Sequence, residues 1–134
     1  MHLIVCLDKR GGMSFFGKRQ SQDSEIRADI LNNVERVYMS AYSARQFKEE
    51  SEKIVICEDY LTAAGENDYC FSELEDITEA LCSAKTVTVY CFNRDYPFDK
   101  AFPVADYKKR WKCLSRNEFA GSSHEKITKE IYQL

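Results

Sequence analysis

Two polar runs far apart in the chain hold the side chains best suited to chemistry. Lys18-Arg19-Gln20-Ser21-Gln22-Asp23-Ser24-Glu25 gathers cations, hydroxyls and carboxylates, and Gly121-Ser122-Ser123-His124-Glu125-Lys126 adds a histidine beside a carboxylate. Histidine next to glutamate can serve as acid and base near neutral pH, while arginine and lysine can hold an anion. A third group, Asn93-Arg94-Asp95-Tyr96, follows the run Val87-Thr88-Val89-Tyr90. If that run is a strand, Arg94 lies just beyond its carboxyl end, the side on which open α/β sheets bind ligands.

Metal chemistry finds no motif. Neither His2 nor His124 belongs to a ligand pattern, and the six cysteines include no Cys-x-x-Cys pair. The His-x-His-x-Asp-His cluster of metallo-β-lactamase-type zinc hydrolases is absent as well. Most of the cysteines sit in apolar runs such as Ile54-Val55-Ile56-Cys57, as buried thiols of a reducing compartment do.

The elements that must position these groups can be read from local pattern. Leu3-Ile4-Val5-Cys6-Leu7 is an unbroken apolar run closed by Asp8, which fits a strand buried on both faces of a parallel sheet. Asp23 or Ser24 caps a helix in which Ile26 and Ile30 stand one turn apart and which Asn32-Asn33 closes. Val37-Tyr38-Met39 is the next strand. Ser43 and Gln46 have the spacing of a capping box for a helix to about Glu50. Ile54 to Cys57 reads as a third buried strand, Glu58 to Ala64 as a helical turn, Tyr69 to Phe71 as a strand, and Asp76 to about Ala84 as a helix. Val87 to Tyr90 and Trp111 to Leu114 follow as strands. His124 to Leu134 fits either a helix capped by Ser122 or a final strand, and the strand is preferred. Lys108-Lys109-Arg110-Trp111-Lys112 is expected to be a charged loop leading into a strand with a core tryptophan rather than a platform for single-stranded nucleic acid.

The chain has 134 residues, the size of one domain, with 44% hydrophobic and 31% charged residues, ordinary values for a globular protein. A net charge of −3 argues against a general nucleic-acid or membrane-surface binder, because phosphate neutralisation needs a basic excess. No apolar stretch is long enough for a membrane span, and Met1-His2-Leu3 leads directly into a strand. A cytoplasmic protein is expected.

The buried first strand with Gly12-Met13 after it, the junction Met39 to Ser43, the stretch Val87 to Tyr96 and the terminal Glu130-Ile131-Tyr132 occur in a telling order. In that order and spacing the chain resembles the dihydrofolate reductase family, weakly but along its whole length. The resemblance implies a single α/β domain over residues 1–134, with a largely parallel central sheet flanked by helices and an antiparallel C-terminal edge strand. It also implies hydride transfer from NADPH to a pterin held by a carboxylate on the first helix.

Residue by residue, the family's motifs are degraded. Its helix carboxylate falls on Ile26, and a one-residue deletion brings Glu25 into register, with Asp23 close by. The usual Leu-Pro-Trp is replaced by the hydrophilic Lys18 to Gln22. Of the Gly-Arg-x-Thr junction that holds NADPH, Ser40-Ala41-Tyr42-Ser43 keeps only the hydroxyl of Ser43, with Arg45 as a substitute cation. Cys91-Phe92 replaces the Gly-Gly turn that admits the cofactor, although Tyr96 sits at the spacing of the family's tyrosine. Ordinary NADPH binding is therefore expected to be lost, leaving the cofactor unknown.

In the resembling fold the loop before the last strand meets the loop after the first strand. Arg19, Gln20, Ser21 and Asp23 should then face Ser122, Ser123, His124, Glu125 and Lys126 across one cleft. The expected function is that of a divergent member without standard reductase activity, binding a small anionic or nucleotide-like ligand there. Two alternatives stand beside it. One is an NADPH-dependent reductase with a rebuilt cofactor site and Glu25 or Asp23 as its acid. The other is a metal-independent phosphodiester hydrolase or RNA-binding module using Arg19 and His124.

Overall fold

The computed structural model describes residues 1–48 and 51–134. The run that opens the chain forms β1 (His2–Leu7), the middle strand of a seven-stranded sheet. After a small hairpin of β2 (Gly12–Phe15) and β3 (Lys18–Arg19) come α1 (Ser24–Asn33), β4 (Val37–Met39), α2 (Ala41–Ala44) and β5 (Ile54–Ile56). Then follow α3 (Tyr60–Ala63), β6 (Tyr69–Phe71), α4 (Thr78–Leu81), β7 (Thr86–Cys91) and β8 (Lys100–Ala101). The chain ends with α5 (Tyr107–Arg110), β9 (Lys112–Phe119) and β10 (Ile127–Gln133).

The large sheet runs in the order β5-β4-β6-β1-β7-β10-β9. Its pairings from β5 to β7 are parallel, while β10 is antiparallel to both β7 and β9. This is a largely parallel α/β sheet with the antiparallel C-terminal strand expected; β9 lies outside it at the edge.

Alternation along β1 divides the core. Leu3, Val5 and Leu7 join Tyr60, Ile77, Leu81, Val87 and Val89 in one buried cluster. Ile4 packs with Ile26, Ile30, Val37, Met39, Tyr90 and Phe92 in the other. Because β1 is covered on both faces it has no polar side, which is why its sequence reads as a continuous apolar run.

Several expectations need correction. The second helix starts at Ala41 with Ser40 as its cap, not at Ser43, whose N–H donates to Ser40 Oγ at 3.2 Å. A short hydroxyl three residues earlier takes the N-terminal N–H, so the Ser43/Gln46 capping box does not form. The helix closes by Ala44, and the Glu49-Glu50 end expected for it lies outside the described residues. β5 is an edge strand with Ile56 60% exposed, not a buried one. Gly12-Met13 lies in β2, part of a three-stranded sheet with β3 and β8 that the sequence does not announce. Lys108 to Arg110 form the short α5 rather than a loop, and Trp111 packs partly buried against Phe102 and Tyr107. No described helix is long and apolar enough to cross a membrane.

Candidate functional site

Asp23 precedes α1 with extended backbone, and its Oδ1 accepts the N–H of Glu25 at 2.9 Å. The cap satisfies an otherwise orphan donor of the first helical turn. The same carboxylate also binds the loop before β10. Oδ1 accepts Ser122 N–H at 2.9 Å and Ser122 Oγ at 3.1 Å, and Oδ2 accepts Ser123 N–H at 2.9 Å and His124 Nδ1 at 2.8 Å. Gly121 allows this approach, since a Cβ there would stand 2.5 Å from Asp23 Oδ2 and 2.7 Å from the His124 carbonyl oxygen.

Burial pushes the Asp23 carboxyl up, but hydrogen bonds from His124, Ser122, Ser123 and Glu25 outweigh it and hold the group well below the usual carboxylate range. An ionised Asp23 can only accept, so His124 Nδ1 carries a proton, and in the neutral imidazole Nε2 is then the nitrogen with the lone pair. Two hydroxyls meet that lone pair, Tyr96 at 2.8 Å and Ser21 at 3.2 Å. Phe92 stacks on the imidazole with ring centroids 4.7 Å apart. The His124 and Asp23 side chains are 1% and 0% exposed. Ser21, Asp23, Tyr96, Ser122, Ser123 and His124 thus form one cluster, joining the two polar runs.

Other expected site residues lie elsewhere. Glu25 is exposed on α1 and contributes its backbone N–H to the cap, so no pocket encloses its carboxyl. The helix register places Ile26 inward instead, where the second core cluster takes it. Arg19 is committed to Glu73, which accepts its Nε at 3.0 Å and Nη2 at 3.2 Å. Its guanidinium also stacks on Tyr42 at 4.3 Å, and its backbone N–H donates to the Tyr42 hydroxyl. Ser43 Oγ at 2.8 Å and Gln46 Nε2 at 2.9 Å complete the donors to Glu73. Arg45 is exposed at the C-terminal cap of α2, also facing the Tyr42 ring.

Sequence reasoning missed Glu73, Tyr42 and Asp8. Glu73 follows β6 with no local mark of what it will hold. Asp8 had a signal, an acid ending a buried strand ahead of Gly11-Gly12, the composition of a tight turn. Its Oδ1 accepts the N–H groups of Arg10 and Gly12, each at 2.8 Å, and its Oδ2 accepts Tyr96 N–H at 3.1 Å and Gln20 Nε2 at 3.2 Å. Asp8 therefore ties β1 to the loops that carry Gln20 and Tyr96. Cys6 lies near both Glu73 and Asp23. Burial first, then the charges of Glu73 and Asp23, push its thiol well above the ordinary range, which keeps it protonated and inert.

Beside the histidine cluster, Lys9, Phe92, Asn93, Arg94, Glu125 and Lys126 line a cavity of about 580 Å³. It opens past the carboxyl ends of β1 and β7. Its walls are tied together, because Lys9 N–H donates to the Arg94 carbonyl at 2.8 Å and Asn93 Nδ2 to the Lys126 carbonyl at 3.0 Å. Lys126 reaches Glu118 at 3.6 Å, whereas Lys9 and Arg94 have no ion pair among the described residues.

Neither a protein-family model nor a curated protein matches the sequence. Comparison with solved structures finds dihydrofolate reductase from Enterococcus faecalis, complexed with NADP(H) and RAB-propyl. The two are 9% identical, with a TM-score of 0.66 over 98% of this chain and 94% of that one. The fold is that of dihydrofolate reductase. On this dihydrofolate-reductase fold the residues at the expected cofactor positions are engaged with other groups of the chain. Ala41 N–H at the start of α2 donates to Glu58 Oε2 at 2.9 Å, setting a carboxylate where the motif would hold phosphate. The Ser43 hydroxyl is spent on Glu73, and Phe92 is buried against His124. These residues do not fit NADPH in the way that the family's motifs would hold it.

Proposed function

We propose that this chain uses the dihydrofolate-reductase fold to bind a small anionic ligand, and does not act as an NADPH-dependent reductase. The ligand site is the cavity of Lys9, Arg94 and Lys126. The observation that carries this reading is that cavity, with three cations against one carboxylate, Glu125, and with two of the cations free of ion pairs among the described residues. An anion there replaces water as the partner of Arg94 and Lys9 without first breaking an internal salt bridge. The crosslinked loops fix the geometry in advance, which lowers the ordering cost of binding. The reductase alternative lacks support from Glu25, which is exposed, and from Asp23, whose oxygens are already engaged.

Thermal stability measured in low-salt buffer with pyrophosphate or with NADPH tests this. Pyrophosphate at about a hundred times its dissociation constant should stabilise by roughly 2.7 kcal/mol, and Arg94→Ala should abolish the shift. A saturable NADPH shift that survives Arg94→Ala would instead establish a cofactor site elsewhere and overturn the reading.

A further inference from the structure

We propose that Ser21 is an esterase-type nucleophile, with His124 as its base and Asp23 as the residue that positions the imidazole. Ser21 Oγ lies 3.2 Å from His124 Nε2, and His124 Nδ1 lies 2.8 Å from Asp23 Oδ2. Serine on one imidazole nitrogen and a buried carboxylate on the other is the arrangement by which a weak hydroxyl becomes a nucleophile. The carboxylate has the required environment, since N–H groups of Ser122, Ser123 and Glu25 hold it ionised and fixed. The histidine tautomer follows from it, with the lone pair directed at the hydroxyls. Ser21 is partly exposed while His124 is buried, so the hydroxyl is the member of the set that a substrate can reach. Ser122 and Ser123 contact Asp23 rather than the ring nitrogens of His124.

Tyr96 sets the resting state. Its hydroxyl stands 2.8 Å from the same Nε2, nearer than Ser21, and competes for the lone pair. In the reaction Ser21 Oγ attacks the carbonyl carbon of an ester while its proton passes to His124 Nε2. The bond to the leaving alcohol then breaks, and that oxygen takes the proton from the imidazolium. Water, deprotonated by His124, releases the acid and restores Ser21. Phe92 both stacks on His124 and lines the cationic cavity, so the histidine and the cavity share a wall. The nucleophile does not depend on that cavity being a ligand site.

A fluorophosphonate probe with peptide mass spectrometry tests the assignment on the intact chain. The Ser21 oxygen bonds phosphorus, fluoride leaves, and the hydroxyl proton goes to His124. The expected result is an adduct on Ser21, formed at least tenfold more slowly in His124→Gln, as loss of a general base requires. Tyr96→Phe removes the competitor, and should speed labelling roughly 2- to 10-fold, the range of one hydrogen bond's net strength. A purely structural Tyr96 predicts the opposite or no change. An absent adduct, an adduct on Ser122 or Ser123 instead, or a labelling rate that Tyr96→Phe leaves unchanged or lowers would each overturn the proposal. If His124→Gln fails to fold, the Tyr96→Phe rate alone decides.

Discussion

Asp23 and Glu73 are buried carboxylates that both bear on the Cys6 thiol, yet they are held by different kinds of donor. Three of the groups donating to Asp23 are backbone N–H groups, from Glu25, Ser122 and Ser123. Every donor to Glu73 is a side chain, from Arg19, Ser43 and Gln46. Backbone donors are supplied by a helix start and a loop turn whatever the side chains are, so the Asp23 region tolerates loss of a partner. The Glu73 region depends on three side chains, Arg19 from β3 and Ser43 and Gln46 from in and just after α2, and its charge is balanced by one of them.

Arg19→Ala breaks the comparison most strongly. It leaves the Glu73 charge facing neutral partners, and breaking such a buried pair costs about 3–5 kcal/mol. The Arg19 side chain is 20% exposed, which argues for the lower end, about 3 kcal/mol by urea unfolding. The double change Arg19→Met with Glu73→Leu should recover most of that loss. A cost for Arg19→Ala below about 1 kcal/mol, the value of a surface pair, would mean that the Glu73 cluster is not the stronger dependency.

Asp23→Asn should have a smaller effect, about 1–2 kcal/mol at pH 7, because the amide turns one acceptor into a donor facing N–H groups. The sign of its pH dependence follows from the lowered folded-state value of Asp23. Stability from this group is fully present above the unfolded value near pH 4, and is lost as the pH falls below it toward the folded one. The difference between wild type and Asp23→Asn should therefore narrow under acid, in unfolding curves collected at a series of pH values. A gap that widens as the pH falls contradicts the Asp23 network.

Glu25→Gln marks the small end of the series. The side chain is exposed and only its backbone serves the cap, so stability should stay within about 0.5 kcal/mol of wild type. Pyrophosphate binding should not change either. A large loss of stability or binding would return the helix carboxylate to a role in the site.

Legibility followed the range of the interactions. The start of α1 was readable because Asp23 caps the next turn through a neighbour two residues away. β1 was readable because burial on both faces leaves no polar residue in its middle, and Glu130-Ile131-Tyr132 did prove to be strand. The bounds of α2 were not, because Ser40 and Ser43 are both competent caps and the choice between them was made by Glu73, which takes the Ser43 hydroxyl. β5 misled for a similar reason. Ile54-Val55-Ile56 has the composition of a central strand, but its place at the end of the sheet exposes it.

The sequence by itself determined the α/β alternation, the two-faced burial of the first strand and the bulky Cys91-Phe92 pair at the end of the late strand, since each depends on residue type over a few positions. Tertiary structure decided which polar groups are spent and which remain free. Arg19 and Ser43 went to Glu73, His124 went to Asp23, and Arg94 and Lys9 were left facing an open cavity. A side chain's chemistry depends on the partners that burial forces upon it, and those partners can stand a hundred residues or more away along the chain, as Asp23 and His124 do.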